Sequence, residues 1–216
     1  MGLILNRLKK FTKGYSTAMN NPYTQGGILE GADAVNGDFL VFGSTDGFYK
    51  KDADLVTNVK NIAGVLLATN VKVTLSYGDN PVVTTKAGES FNLMIEGFVA
   101  LPLATTGAAI KEGDPVYVTA DGYVANAAAA NKVFTQVVAP RTADIATYYE
   151  FDSTNGSFTL TEDTAVNTVK TYFTAGDAKA AAAIANARFA KGIADTDEDG
   201  VVLANVYLDF KSAKAE

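Results

Sequence analysis

Cysteine, histidine and tryptophan are absent from the 216 residues, and proline occurs only five times. No disulfide can form, no thiolate can attack, and zinc or iron has no sulfur or imidazole donors. A Ser-His-Asp or Cys-His site is excluded because its base is missing. Carboxylates, lysines, tyrosines and hydroxyls are the groups left for chemistry. Long apolar runs are missing too: no window approaches the roughly 20 apolar residues that span a bilayer. The start, Met1-Gly2-Leu3-Ile4-Leu5, puts its apolar residues ahead of its basic ones, the reverse of a secretory signal. Asn6 stands where a myristoylation motif requires Ser or Thr. A soluble chain made in a cytoplasm is the expectation. Neither G-x-x-x-x-G-K-[ST] nor G-x-G-x-x-G occurs, and Gly43-Ser44-Thr45-Asp46-Gly47 lacks the phosphate-binding lysine, so nucleotide chemistry has no support.

What is present is a globular composition, 48% hydrophobic and 19% charged, with a net charge of −6. The charge is unevenly spread. Residues 1–27 carry Arg7, Lys9, Lys10 and Lys13 and no acid, while the other 189 residues carry 14 basic and 24 acidic groups. A basic arm on an acidic body suits contact between protein surfaces of opposite charge. The same acidic body would repel nucleic-acid phosphates, so nucleic acid is not an expected partner, and neither is a membrane.

Residues 1–27 read as the arm, punctuated by Gly14, Asn20-Asn21, Pro22 and Gly26-Gly27. Leu5, Leu8 and Phe11 recur every three residues, which fits a short amphipathic turn over Leu3 to Phe11; a frayed tail is the alternative. From residue 28 the texture is short strands between turns. Strands are expected at Asp38–Phe42, Ile62–Ala68, Val71–Leu75, Phe91–Leu101, Pro115–Thr119, Val133–Ala139, Thr147–Phe151, Phe158–Leu160 and Val201–Phe210. In the last, Val202, Ala204, Val206 and Leu208 oppose Leu203, Asn205, Tyr207 and Asp209, the period of two that a half-buried strand shows. Asn36-Gly37, Asp46-Gly47, Asp121-Gly122, Asn155-Gly156 and Asp199-Gly200 supply turn residues that tolerate positive φ. The pattern predicts an all-β fold, a β-sandwich or a jelly-roll-like or small barrel, with an extended N-terminal arm and an Ala-rich insertion. Residues 28–216 form the β-rich domain, with the insertion at 126–187. Ala125–Ala130 and Ala178–Ala190 are the Ala-rich stretches. The second reads either as a short helix over 178–187, capped by Asp177, or as a strand of small side chains.

Asp195-Thr196-Asp197-Glu198-Asp199-Gly200 matches the first half of a calcium loop, D-x-D-x-D-G. The twelfth position, which should be a bidentate Glu, is Val206. An acidic hairpin turn is therefore the reading, and Asp195, Asp197 and Asp199 are a weak cation candidate only; no metal or cofactor is expected. Tyr77-Gly78-Asp79-Asn80-Pro81 reads as a turn. Glycoside hydrolysis would need two acids paired across a cleft. Glu89, Glu96, Glu112, Asp114 and Glu150 are candidates, but nothing singles out a pair, and an enzyme is not expected.

A family resemblance rests on ordered strand and turn motifs. Gly37-Asp38 opens a strand, followed by Ile62-Ala63-Gly64-Val65, Glu96-Gly97-Phe98-Val99-Ala100, Gly113-Asp114-Pro115-Val116-Tyr117-Val118 and Asp121-Gly122-Tyr123. Gly192-Ile193-Ala194 and Asp199-Gly200-Val201 through Leu208 complete it. Over residues 28–125 and 188–210 this resembles the cement, or head decoration, proteins of tailed-phage capsids. The resemblance implies a non-catalytic virion protein on the capsid surface, synthesised in the host cytoplasm, with the major capsid protein as partner. It also implies self-association, for which a trimer at threefold capsid positions is the guess. On this reading Arg7, Lys9, Lys10 and Lys13 meet an acidic capsid surface, and Leu3, Leu5, Leu8 and Phe11 fill an apolar groove. Another virion β-module, from a tail, fibre or adhesin, is the alternative.

Overall fold

The computed structural model describes residues 23–67, 84–105, 109–128, 131–142, 145–163, 167–191 and 201–211. The first strands are β1 (Tyr23–Glu30), β2 (Ala34–Val35), β3 (Phe39–Phe42), β4 (Phe48–Lys50), β5 (Ile62–Leu67), β6 (Thr84–Thr85) and β7 (Ser90–Pro102). The chain continues through β8 (Ala104–Thr105), β9 (Pro115–Thr119), β10 (Val124–Ala125), β11 (Asn131–Pro140), β12 (Thr147–Asp152) and β13 (Ser157–Glu162). β14 (Val169–Lys179), β15 (Ala181–Phe189) and β16 (Leu203–Asp209) follow. The fold is all-β, as the turn density and alternation predict; among the described residues one 3-10 turn, Val59–Asn61, precedes β5.

Five strands close into a small barrel in the order β1-β4-β3-β5-β7, with β7 returning to pair with β1. Only the β1–β4 contact is parallel. Closure demands a long strand that can serve both barrel and extension, and β7 is that strand. Ser90–Glu96 pairs with β1, and Glu96–Pro102 pairs with β16. From β16 the sheet extends through β15 and β9 to β10. Leu29, Leu40, Leu66 and Leu93 lie on one face of the barrel strands and Val65 and Met94 on the other, all buried, and Val99, Leu101, Val206 and Leu208 carry the same core under the extension. Gly64 is required where β5 meets β7, because a Cβ there would stand 2.8 Å from Leu93 Cγ.

A second sheet, in the order β13-β12-β14-β11-β8, lies beside the first. Its heart is aromatic. Phe134 and Phe158 stack with ring centroids 3.7 Å apart, and Phe158 meets Phe173 edge-on at 5.2 Å. These rings join the barrel core in one continuous cluster. Arg141, only 1% exposed, pins the far end of this sheet. Its Nη1 donates to the Ile145 and Asp163 carbonyls, its Nη2 lies 2.8 Å from the Asp163 carboxylate, and its guanidinium covers the Tyr148 ring.

Three sequence expectations are corrected. Tyr23 to Gly27, counted with the arm, are the first five residues of β1 and pair with β7. The helix considered over 178–187 does not form: Ala178 and Lys179 end β14, and Ala181–Phe189 is β15. The Ala-rich run lies between β9 and β16, whose open edges offer backbone partners on both sides, and its small side chains permit close approach. Tertiary pairing overrides alanine's helix preference, and Asn186 takes a positive φ of 56° within the strand. Since β15 belongs to the main sheet, the part that stands apart from that sheet is β11–β14, and it ends at Lys179 rather than at residue 187. The expected strand Val71–Leu75 and the turns at Tyr77 to Pro81 and Asp199-Gly200 lie outside the described residues.

Candidate functional site

Three of the turns that launch strands use one device. In Val35-Asn36-Gly37-Asp38, Lys86-Ala87-Gly88-Glu89 and Lys111-Glu112-Gly113-Asp114, the third residue is a glycine with φ between 85° and 90°. The fourth residue's N–H donates to the first residue's carbonyl, and its carboxylate accepts the first residue's N–H at 2.8–2.9 Å. A left-handed third position requires glycine, and the returning carboxylate locks the turn just before β3, β7 or β9. Asp38 is 8% exposed and also holds Lys51 at 2.9 Å.

This accounts for two of the acids weighed as catalytic. Glu89 and Asp114 are turn locks. Glu96 accepts the Tyr207 hydroxyl at 2.9 Å, and Glu150 accepts from Tyr148 and Thr161. Glu112 is an exposed turn residue. Glu112 and Asp114 share one turn and the other three stand on separate elements, and among the described residues the bonds of Glu89, Glu96, Asp114 and Glu150 are local turn or cross-strand ones. Among the described residues no cluster of metal-ligating side chains forms. Asp195, Asp197 and Asp199 lie outside the described residues, as do Leu3, Leu5, Arg7, Leu8, Lys9, Lys10, Phe11 and Lys13.

The place where the arm joins the body is described. Tyr23, the first residue of β1, pairs with Glu96, and Glu96 pairs on β16 with Asp209. One row along, Phe98 pairs with Tyr207, and Tyr207 pairs with Arg188 on β15. Cross-strand partners share a face, so these side chains form one outward patch at the seam between barrel and extension. Phe98 and Tyr207 rings lie 5.0 Å apart, the Arg188 guanidinium covers Tyr207 at 4.3 Å, and Lys211 Nζ lies 4.7 Å from the Tyr23 ring centre. Burial raises the Tyr207 phenol above its ordinary range, and the Glu96 carboxylate adds to this. The phenol therefore stays protonated at neutral pH and keeps donating to Glu96. Half-buried tyrosine, phenylalanine and stacked arginine are the residue types that dominate protein interfaces. The sequence analysis did not pick out this patch. Its signal was the alternation that sets Tyr207 with Leu203, Asn205 and Asp209, together with Phe98 two residues after Glu96.

The phage cement protein family matches residues 28–150, more than half of the chain. The match runs past residue 125, where the resemblance read from sequence stops, through β11 and into β12, so the second sheet begins within the family's own region. No curated protein matches the sequence. With Gly37-Asp38, Gly64, Phe98 and Gly113-Asp114 all inside the matched span, the chain belongs to the phage cement proteins, a structural family with a capsid-associated role.

Proposed function

We propose that this protein binds the outside of a phage capsid and stabilises it by bridging neighbouring subunits of the major capsid protein. The family match over residues 28–150 is the observation that carries this reading. A clamp of this kind needs a stable body and more than one contact, because a weak contact becomes strong once another already holds the protein in place. Binding only the assembled shell lowers that shell's free energy, which is stabilisation by linkage.

Two features supply the contacts. Residues 1–22 hold four basic residues and no acid. Arg7, Lys9, Lys10 and Lys13 would meet acidic capsid surface, with Leu3, Leu5, Leu8 and Phe11 in an apolar groove. This arm leads into Tyr23, beside the Phe98, Tyr207 and Arg188 patch, so arm and patch address one surface. An arm that orders on binding loses entropy but covers a large area.

Co-sedimentation with expanded, empty heads that lack the protein tests the reading. Saturable binding at a fixed ratio to the major capsid protein is expected; absence of binding overturns it and favours a tail or fibre module. A truncation to test the arm must stop at Pro22, because removing Tyr23 to Gly27 would also strip half of β1 from the barrel. Undiminished binding by that truncation would remove the arm from the mechanism.

A further inference from the structure

Asparagine followed by glycine is the dipeptide most open to spontaneous deamidation, because glycine puts no side chain in the way of its own nitrogen. That nitrogen attacks the asparagine Cγ, loses its proton to water and expels ammonia, which leaves a five-membered succinimide. Water then opens the ring at either carbonyl, to aspartate or to isoaspartate, so an amide and water become a carboxyl group and ammonia. The sequence holds two such pairs, Asn36-Gly37 and Asn155-Gly156. Both lie in described turns, and the glycines take φ of 85° and 61°. The two turns are held differently. Gly37 N–H donates to the Leu66 carbonyl on β5 at 2.8 Å, and the Asp38 carbonyl accepts the Leu66 N–H at 2.9 Å. That turn is tied twice to a strand of the barrel. Gly156 N–H donates within its own turn, to the Asp152 carbonyl at 2.8 Å. Asn155 Nδ2 donates to the Asp152 carboxylate, which also accepts the Thr154 N–H at 2.8 Å.

We propose that Asn155 is the deamidation site of the folded protein, and that the Asp152 carboxylate is the latch that keeps the reaction slow. The reaction needs the Gly156 nitrogen released and the Asn155 side chain free to turn. Opening of the β12–β13 turn meets both needs, and such a local event leaves the stacked rings of the second sheet in place. At Asn36 the same release requires parting the turn from β5, beside buried Leu40 and Leu66, so it draws on the stability of the barrel. Asp152 holds three groups of its turn: the Thr154 N–H, the Asn155 amide and the Gly156 N–H. Deamidation there changes more than a charge. The Asn155 carbonyl accepts the Ile110 N–H at 3.0 Å, which ties the turn to the segment leading into β9. Isoaspartate adds a carbon to the backbone at that tie and a negative charge beside Asp152. This turn is where the protein's charge and backbone alter as it ages.

Incubation of the full folded chain in mildly alkaline buffer, followed by peptide mapping with mass spectrometry, tests the assignment. The same chain in urea supplies the unprotected rate at both sites. In the folded wild type, Asn155 is expected to convert ahead of Asn36, yet slower than in urea by roughly tenfold or more. Asp152→Ala should speed Asn155 by about tenfold, the weight of one lost hydrogen bond, and leave Asn36 unchanged. Because Asn36 reports on the barrel, its constant rate shows that the variant stays folded. Conversion of Asn36 first, or of Asn155 at its rate in urea, overturns the proposal without any variant. An unchanged Asn155 rate in Asp152→Ala also overturns it. So does a lower rate, which would make the carboxylate a base that promotes the attack. An equal rise at both sites would place the protection in the fold as a whole and overturn the latch. None of these outcomes bears on capsid binding, so the proposed function stands or falls separately.

Discussion

The barrel core mixes aliphatic side chains with the rings of Phe39, Tyr49 and Phe91, whereas the second sheet gathers most of its rings into one cluster. Leu40, Val65, Leu66, Leu93 and Met94 pack the first. Phe134, Tyr149, Phe151, Phe158 and Phe173 hold the second through tilted and stacked contacts. The two regions also end differently. The barrel closes on itself and satisfies every edge internally. The second sheet is pinned at its far end by Arg141, and among the described residues its terminal strand β13 pairs with β12 alone.

The largest test of this contrast is truncation of one ring. Phe158→Ala should destabilise the protein by about 4 kcal/mol, because Phe158 touches Phe134, Phe151 and Phe173 together. Since these rings share one continuous core with the barrel, calorimetry should still show one transition, shifted down. Two separated transitions would split the molecule into independent halves. Next in size is Arg141→Ala, expected to cost about 3 kcal/mol in denaturant melts by leaving Asp163 without its buried partner. Lys170 also reaches Asp163 at 3.0 Å but is 40% exposed, so Lys170→Ala should change the same melts little. An equal effect for both would show that burial is not what gives Arg141 its weight.

In the barrel, Gly64→Ala should cost about 2 kcal/mol, since the new Cβ meets Leu93 and the β7 backbone. The turn locks sharpen the comparison further. Asp38→Ala should cost about 1 kcal/mol and Glu89→Ala less, because Asp38 is the buried member of the set. The smallest effect concerns pH. Asp152, at the β12–β13 turn, accepts from the Thr154 N–H and from Asn155, and these bonds hold its carboxyl below the usual range. A lowered carboxyl contributes stability that is present above the unfolded pKa of about 3.9 and is lost as pH falls through the folded value. Asp152→Asn should therefore flatten the acid limb of a stability profile between neutral pH and pH 3, with only a slight change at neutrality. An unaltered acid limb would remove the turn from acid sensitivity.

Much of the body was legible in the residues. Pro115–Thr119 is a strand with the boundaries its β-branched and aromatic run predicts. Val201–Phe210 alternates as β16 does, and the glycines of Asn36-Gly37, Asp46-Gly47, Asp121-Gly122 and Asn155-Gly156 all take positive φ. Absence of histidine and cysteine, an all-β pattern and the gathering of basic residues at positions 7–13 of an otherwise acidic chain are properties of composition and local spacing, so the chain alone decides them. Other features depend on which strand lies next to which. Ala181–Phe189 carries the composition of a helix, and only the neighbouring edges of β9 and β16 make it a strand. Glu89 and Asp114 look like any surface acids until each turn folds its carboxylate back on the N–H three residues earlier. Tyr207, Phe98 and Arg188 are far apart in sequence, and the register of β7, β16 and β15 alone brings them to one face. Local propensity is a property of a few consecutive residues, whereas closure, edges and shared faces are long-range pairings that exist only once the whole sheet is assembled.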